Sequence, residues 1–123
     1  PINTANPNLV TNPLTAPGIL APLSRVGGGE VRVDAALATR TAAWDAGDPL
    51  SVSLSFGAPR VTGTTTLRKR VVVRNYASVA RTYSIAPSFR FASDQAANAV
   101  TITAPPSVTV PANGSGIVTV TMS

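Results

Sequence analysis

Three groups of residues in this chain are of types and spacings that could do chemistry. Asp45 and Asp48 sit close together in the run DAGDP, and carboxylates so placed can offer oxygens to a hard cation such as calcium. Arg68, Arg70 and Arg74 recur at even spacing in TLRKRVVVRN. In an extended strand they share one face and could grip phosphates. Gly27, Gly28 and Gly29 form a run of the kind that cradles phosphate when it joins a strand to a long helix.

Each group also has a structural reading. A calcium site needs about six oxygens or more, and two acids are only a start. DAGDP equally suits a polar turn that stops one strand and begins the next. The arginine stripe lacks interleaved aromatic platforms, because Phe56, Tyr83 and Phe89 fall on apolar faces. It reads as a solvated strand face that discourages edge pairing, with no nucleic-acid partner expected. The glycine run follows no strand and lacks the Lys-Ser/Thr ending of a phosphate loop. Asn113-Gly114-Ser115 matches a glycosylation sequon, but the same residues make a tight turn, and the turn is preferred. No catalytic, cofactor-binding or metal-binding residue is assigned, and whether Asp45 and Asp48 hold a cation is left open.

The missing residue types narrow the chemistry further. There is no Cys and no His. That excludes a disulfide framework, a thiolate metal site, a Cys nucleophile and any Ser-His-Asp arrangement built from this chain. Ten Lys and Arg against five Asp and Glu give a net charge of +5, read as a mildly basic domain.

The elements that would position these residues are mostly β. The chain has 123 residues, 44% hydrophobic and 12% charged, with 11 Pro and 9 Gly. This suits one domain of short strands joined by turns. No apolar run approaches the ~20 residues of a membrane span. Residues 1–26, with Pro1, Pro7, Pro13, Pro17 and Pro22, read as an extended arm lying on a surface. The glycines that follow are a flexible joint or a place of close backbone approach. VDAALAT at 33–39 predicts a helix of two turns at most, with Val33, Ala36 and Leu37 on its apolar side.

Strand-like text follows, with an extra strand in TAAW at 41–44. LSVSLSF at 50–56 alternates, which predicts a half-buried strand. TTTLRKRVVVRNY at 64–76 predicts the longest strand. Leu67, Val71 and Val73 share its apolar face with Lys69, whose amine is expected in water. Residues 75–80 form a turn. RTYSIAPSFRF at 81–91 predicts a strand interrupted at Pro87, SDQAAN reads as loop, and residues 99–103 form a short strand. SVTVPANGSGIVTVTM predicts a hairpin turned at Asn113-Gly114. The expected core is Val71, Val73, Tyr83, Ile85, Val108, Val110, Val118 and Val120, so Val73→Asp is expected to cost several kcal/mol. The fold class is all-β, an antiparallel Ig/fibronectin-III-like sandwich preceded by an arm and one short helix. The boundary falls between 1–39 and 40–123.

Gly27, Gly29, Val31, Val33, Ala36 and Leu37 fill a G-x-G-x-V-x-V-x-x-A-L pattern. This stretch resembles the seam that ends the catalytic domain of subtilisin-like serine proteases (subtilases). LSFG at 54–57, VVVRN at 71–75, ARTY at 80–83 and PANGS at 111–115 look, in order, like landmarks of the fibronectin-III-like domain that follows in larger secreted members. The G-T-S-M-A-x-P stretch around the family's nucleophilic Ser is missing, as are its Asp and His motifs, so no catalytic residue carries over. The resemblance implies a secreted or cell-surface protein and a parent that is a serine endopeptidase. This chain would be its non-catalytic accessory part, partnered by the parent's catalytic domain and by protein substrates. The chain also begins without Met and reads as a piece of something longer. The other reading is an Ig-like binding or adhesion module of a cell-surface protein.

Overall fold

The structure, a computed structural model, describes residues 2–123. It divides into two compact units, Pro1–Thr39 and Arg40–Ser123.

The first unit is more structured than an arm. A 3-10 turn at Ile2–Thr4 precedes β1 (Val10–Asn12) and β2 (Ala16–Leu20), which pair antiparallel. The turn between them is closed by the Asn12 side chain. Its Oδ1 accepts from the Leu14 N–H at 2.8 Å and the Thr15 N–H at 3.2 Å, an Asx turn that needs no long-range partner. A single helical turn, α1 (Leu23–Val26), starts after Pro22 and ends at Gly27, whose φ is +54°. The expectation of an extended arm with no element of its own over 1–26 is therefore corrected for the described residues. The prolines sit beside and between short elements rather than preventing them.

The glycine run resolves into two requirements. Gly27 ends α1, its N–H donating to the Leu23 carbonyl at 2.7 Å. Gly29 lies where two stretches of backbone meet. Asn6 and Glu30 exchange N–H···O bonds of 2.9 and 3.0 Å, and a Cβ on Gly29 would strike the Asn6 carbonyl. Close approach is thus the role, and only glycine allows it. Next comes α2 (Val33–Ala38), in the segment expected to be helical. Its sides are turned differently from expectation. Ala35 and Ala36 are half-buried, whereas Leu37 is 82% exposed and Val33 is also exposed. The inward side, near the 3-10 turn, takes the small residues that close packing admits.

The second unit holds β3 (Thr41–Asp45), β4 (Leu67–Asn75), β5 (Arg81–Ser84), a short helix α3 (Ala92–Ala97), β6 (Ile102–Thr103), β7 (Ser107–Val110) and β8 (Ser115–Met122). All pairings are antiparallel. One sheet runs β3-β4-β8-β6 and the other is β5-β7. The unit is all-β and sandwich-like. Val71 lies opposite Val118 and Val73 opposite Gly116, so these residues face the same side. On that side a Cβ at Gly116 would come within 3.0 Å of the Val108 and Val110 methyls, which places β7 against it. Val110 is fully buried and Val118 nearly so. Tyr83 of β5 reaches across to β3, its hydroxyl 3.0 Å from Thr41 Oγ1.

Four expectations for this unit are corrected. Residues 50–56 are not a strand, and Leu50 is 95% exposed. Alternation alone does not make a strand. The Asp45 N–H donates to the Ser51 carbonyl, and Val52, Ser53 and Leu54 lie beside Ala43 and Trp44, but no ladder forms with β3. The strand from Arg81 stops at Ser84, three residues before Pro87. Residues 92–97 form a helical turn rather than a loop, ended by Asn98 in the left-handed region at φ +46°. The hairpin at 108–122 is not one: β7 pairs with β5, and β8 pairs with β4 and β6. The Asn113-Gly114 turn instead carries the chain from one sheet to the other. Asn113 takes the left-handed conformation at φ +49°, and Gly114 is needed because a Cβ there would meet the Pro111 ring.

Candidate functional site

The carboxylates singled out in the sequence belong to a closed turn. Asp45 ends β3 and is buried. The Gly47 N–H donates to its Oδ1 at 2.8 Å, and the Lys69 ammonium donates to its Oδ2 at 2.9 Å. Asp48 Oδ1 accepts from the Leu50 N–H at 3.2 Å, an exposed Asx contact. Both oxygens of Asp45 are therefore engaged, and the charge beside it is an amine of the same chain. Among the described residues no three His, Cys, Asp or Glu groups gather to hold a metal. Lys69 also departs from expectation. Its side chain is 35% exposed, and its amine meets a buried carboxylate instead of standing in water.

This pairing has a pH signature. The Gly47 N–H, and after it the Lys69 amine, hold the Asp45 carboxyl below the ordinary carboxylate range. A depressed folded-state value means stability that is present above the unfolded value of about 3.9 and lost as pH falls through the folded one. Asp45→Asn keeps an acceptor for Gly47 but cannot be titrated. The variant is expected to be less stable than the parent at neutral pH and to lose less stability on acidification. Thermal melts across the acid range check this; parallel curves for parent and variant would contradict it.

Asn75 is the polar residue that sequence reasoning missed. It ends β4 and is fully buried. Its side-chain amide donates to the Val79 carbonyl at 2.8 Å, the Pro111 carbonyl at 3.1 Å and, more weakly, the Val110 carbonyl at 3.4 Å. Its Oδ1 accepts from the Ala77 N–H at 2.9 Å. Its own N–H donates to the Gly114 carbonyl at 2.9 Å. One side chain thus closes the 75–79 turn and ties it to the crossing that leaves β7. The only signal in the sequence is an Asn at the end of an apolar strand, which reads equally well as the first residue of a turn.

The arginines stand where the period-two reading puts them. Arg68 and Arg70 are exposed and Arg74 is half-buried, on the face opposite Val71 and Val73. Their strand is not an edge, because β4 lies between β3 and β8. Protection of an edge is therefore not their role, and that expectation is corrected. The Arg74 guanidinium sits 5.4 Å from the centre of the Tyr76 ring, and its Nη1 donates to Ser115 Oγ at 3.4 Å.

A cleft of about 250 Å³ opens between Pro59, Val61, Leu67, Val100 and Met122, with Thr64 at its side. No acidic or basic side chain lines it; Thr65 and Ser123 also border it, so it offers apolar surface with hydroxyls at its side. No family model matches the chain, and no curated protein is significantly similar to it. Among the described residues no helix is long and apolar enough to cross a membrane. The polar centres at Asp45–Lys69 and Asn75 tie distant parts of the second unit together, while Arg68 and Arg70 are exposed without an acidic partner among the described residues.

Proposed function

We propose that the chain is a non-catalytic accessory part of a secreted subtilisin-like serine protease, stabilising the catalytic domain or helping to orient protein substrates. The observation that carries this reading is the surface of the first unit. Leu14, Ile19, Leu23, Val31, Val33 and Leu37 are all exposed there, Leu14 at 90%. Ala21 is its one buried hydrophobic residue among those described, at 4% exposure. A segment of this size is below the ~40 residues at which chains fold unaided, and it spends its apolar side chains outward. That is how a fragment of a larger body looks once the body is taken away. Val31, Val33 and Leu37 are among the residues that carry the subtilase resemblance.

The second unit supports the other half of the reading. Two stacked antiparallel sheets, with a crossing between them at 111–114, fit an Ig/fibronectin-III-like sandwich. The chain has no His, so it cannot by itself assemble a Ser-His-Asp triad.

The decisive experiment joins sequence to assay. The coding sequence upstream of Pro1 is expected to encode a G-T-S-M-A-x-P motif. The protein carrying that segment is expected to hydrolyse casein in a manner blocked by a serine-directed covalent inhibitor. The 123-residue chain alone is expected to give no turnover. Tandem β-sandwich repeats upstream would instead favour a cell-surface adhesion module, and labelling of a serine within the 123 residues would defeat both readings.

A further inference from the structure

The outer face of the four-stranded sheet carries a patch that the proposed function does not use. Side chains at even positions of β4 point away from the β5-β7 sheet, which places Arg68, Arg70, Val72 and Arg74 outside. Register sets Trp44 on one side of Val72 and Ile117 on the other. An apolar row therefore crosses three strands between Arg70 and Arg74. Opposed side chains in such a row start about 5 Å apart, and residues two apart on one strand about 7 Å. Thr119 lies opposite Arg70 and Thr121 opposite Arg68. Ile117 is 58% exposed.

The charge on this face has one sign. None of its strand positions holds an acid, and the carboxylate beside it, Asp45, is buried and paired with Lys69. Arg68 and Arg70 are exposed with no acidic partner among the described residues. An open hollow of about 380 Å³ beside them is lined by Gly47 and Thr119 and by the paired Asp45 and Lys69. Arg74 is already steadied by Tyr76 and Ser115.

We propose that this face docks an acidic polypeptide segment in which carboxylates flank an aliphatic side chain. Guanidinium forks match carboxylates in pairs, and their fixed planes favour that geometry over a point-charge contact. The apolar row supplies the rest: Val72 and Ile117 offer branched aliphatic surface at its middle and far end. A nucleic-acid strand would want a run of free flat platforms for its bases; Trp44 is half-buried and the Tyr76 ring is already taken by Arg74. The inference does not depend on the parent being a protease.

Trp44 is the only tryptophan in the chain and lies in the row itself, so its fluorescence reports occupancy. The 123-residue protein is titrated with a peptide of alternating Glu and Leu. Binding is expected to saturate and to weaken as salt is raised. Arg68→Gln combined with Arg70→Gln is expected to lower affinity about tenfold. Ile117→Ser is expected to weaken the Glu-Leu peptide several-fold and to leave a Glu-Ser peptide unchanged. Arg60→Gln, in an exposed loop whose Pro59 and Val61 line the cleft beside Leu67 and Met122, is expected to change nothing. The proposal is overturned if Arg60→Gln weakens binding as much as a face arginine does, since net charge alone would then explain the attraction. It is also overturned if a Gln-Leu peptide binds equally well, or if oligothymidylate binds more tightly than the acidic peptide.

Discussion

Replacing Val110 with Asp is expected to cost about 4 kcal/mol or more, enough to unfold the 40–123 unit. Val110 has no exposed surface and lies on the inner side of β7, where a Cβ on Gly116 of β8 would come within 3.0 Å of one of its methyls. A carboxylate there loses its water. The side-chain amide nearest it, on Asn75, is already engaged by the Val79 and Pro111 carbonyls. Val110→Ala removes only apolar volume and is expected to cost about 2 kcal/mol. The contrast with β4 tests the register. Val73→Asp, at a half-buried inward position, should cost less than Val110→Asp. Val72→Asp, one residue away on the arginine face, should cost least of the three, because Arg70 and Arg74 flank it. Urea unfolding of the variants gives the order. A Val110→Asp protein as stable as the parent would mean that β7 does not face the four-stranded sheet.

Asn75→Ala is expected to destabilise the protein by about 3 kcal/mol without changing any charge. The cost comes from what the side chain leaves behind: the Val79 and Pro111 carbonyls lose a donor, and the Ala77 N–H loses its acceptor. Because Asn75 is fully buried, water cannot replace it without opening the fold. Asn75→Asp is expected to be worse, although it is nearly the same shape. It sets a second oxygen, and a charge, against carbonyls that need a donor. Its deficit should shrink on acidification, since a protonated carboxyl regains one donor. Unfolding midpoints for the parent, Asn75→Ala and Asn75→Asp at neutral and acid pH decide the matter. An Asp variant equal to the parent at neutral pH would show that the amide is not what the turn requires.

Val72 and Val73 show how much of the fold is legible in the chain. Successive residues of a strand face opposite ways, so the alternation in LRKRVVVRN separates Arg68 and Arg70 from Val71 and Val73 before any partner is known. The same period puts Val118 and Val120 on the inner side of β8, and VDAALAT carries enough helix-forming residues for α2. These features are local, and sequence reports local geometry well. Some corrections are local, such as the helical turn at Ala92–Ala97 and the short elements between Val10 and Val26; the larger ones are relations between distant segments. LSVSLSF alternates as well as any strand here, yet no neighbour offers it a ladder, and Leu50 points into water. SVTV and the strand after Asn113-Gly114 look like two arms of a hairpin, yet each finds a better partner elsewhere, β5 for one and β4 for the other.

The same division runs through the polar residues. That Asp45 stands in a turn follows from its neighbours in the chain; that its other oxygen meets Lys69, 24 residues away, follows from the diagonal between β3 and β4. Asn75 is written as a turn residue and becomes a buried tie because the chain returns to it 36 residues later at Pro111. Gly29 is free to be any glycine in the sequence and becomes the only residue that fits once Asn6 lies against it. The arginine face follows the same rule. The sequence by itself determined that Arg68, Arg70 and Arg74 point one way. Only the pairing of β4 with β3 and β8 set Trp44 and Ile117 among them, because side chains from three strands become neighbours through hydrogen-bonded register, which the chain's own order does not contain.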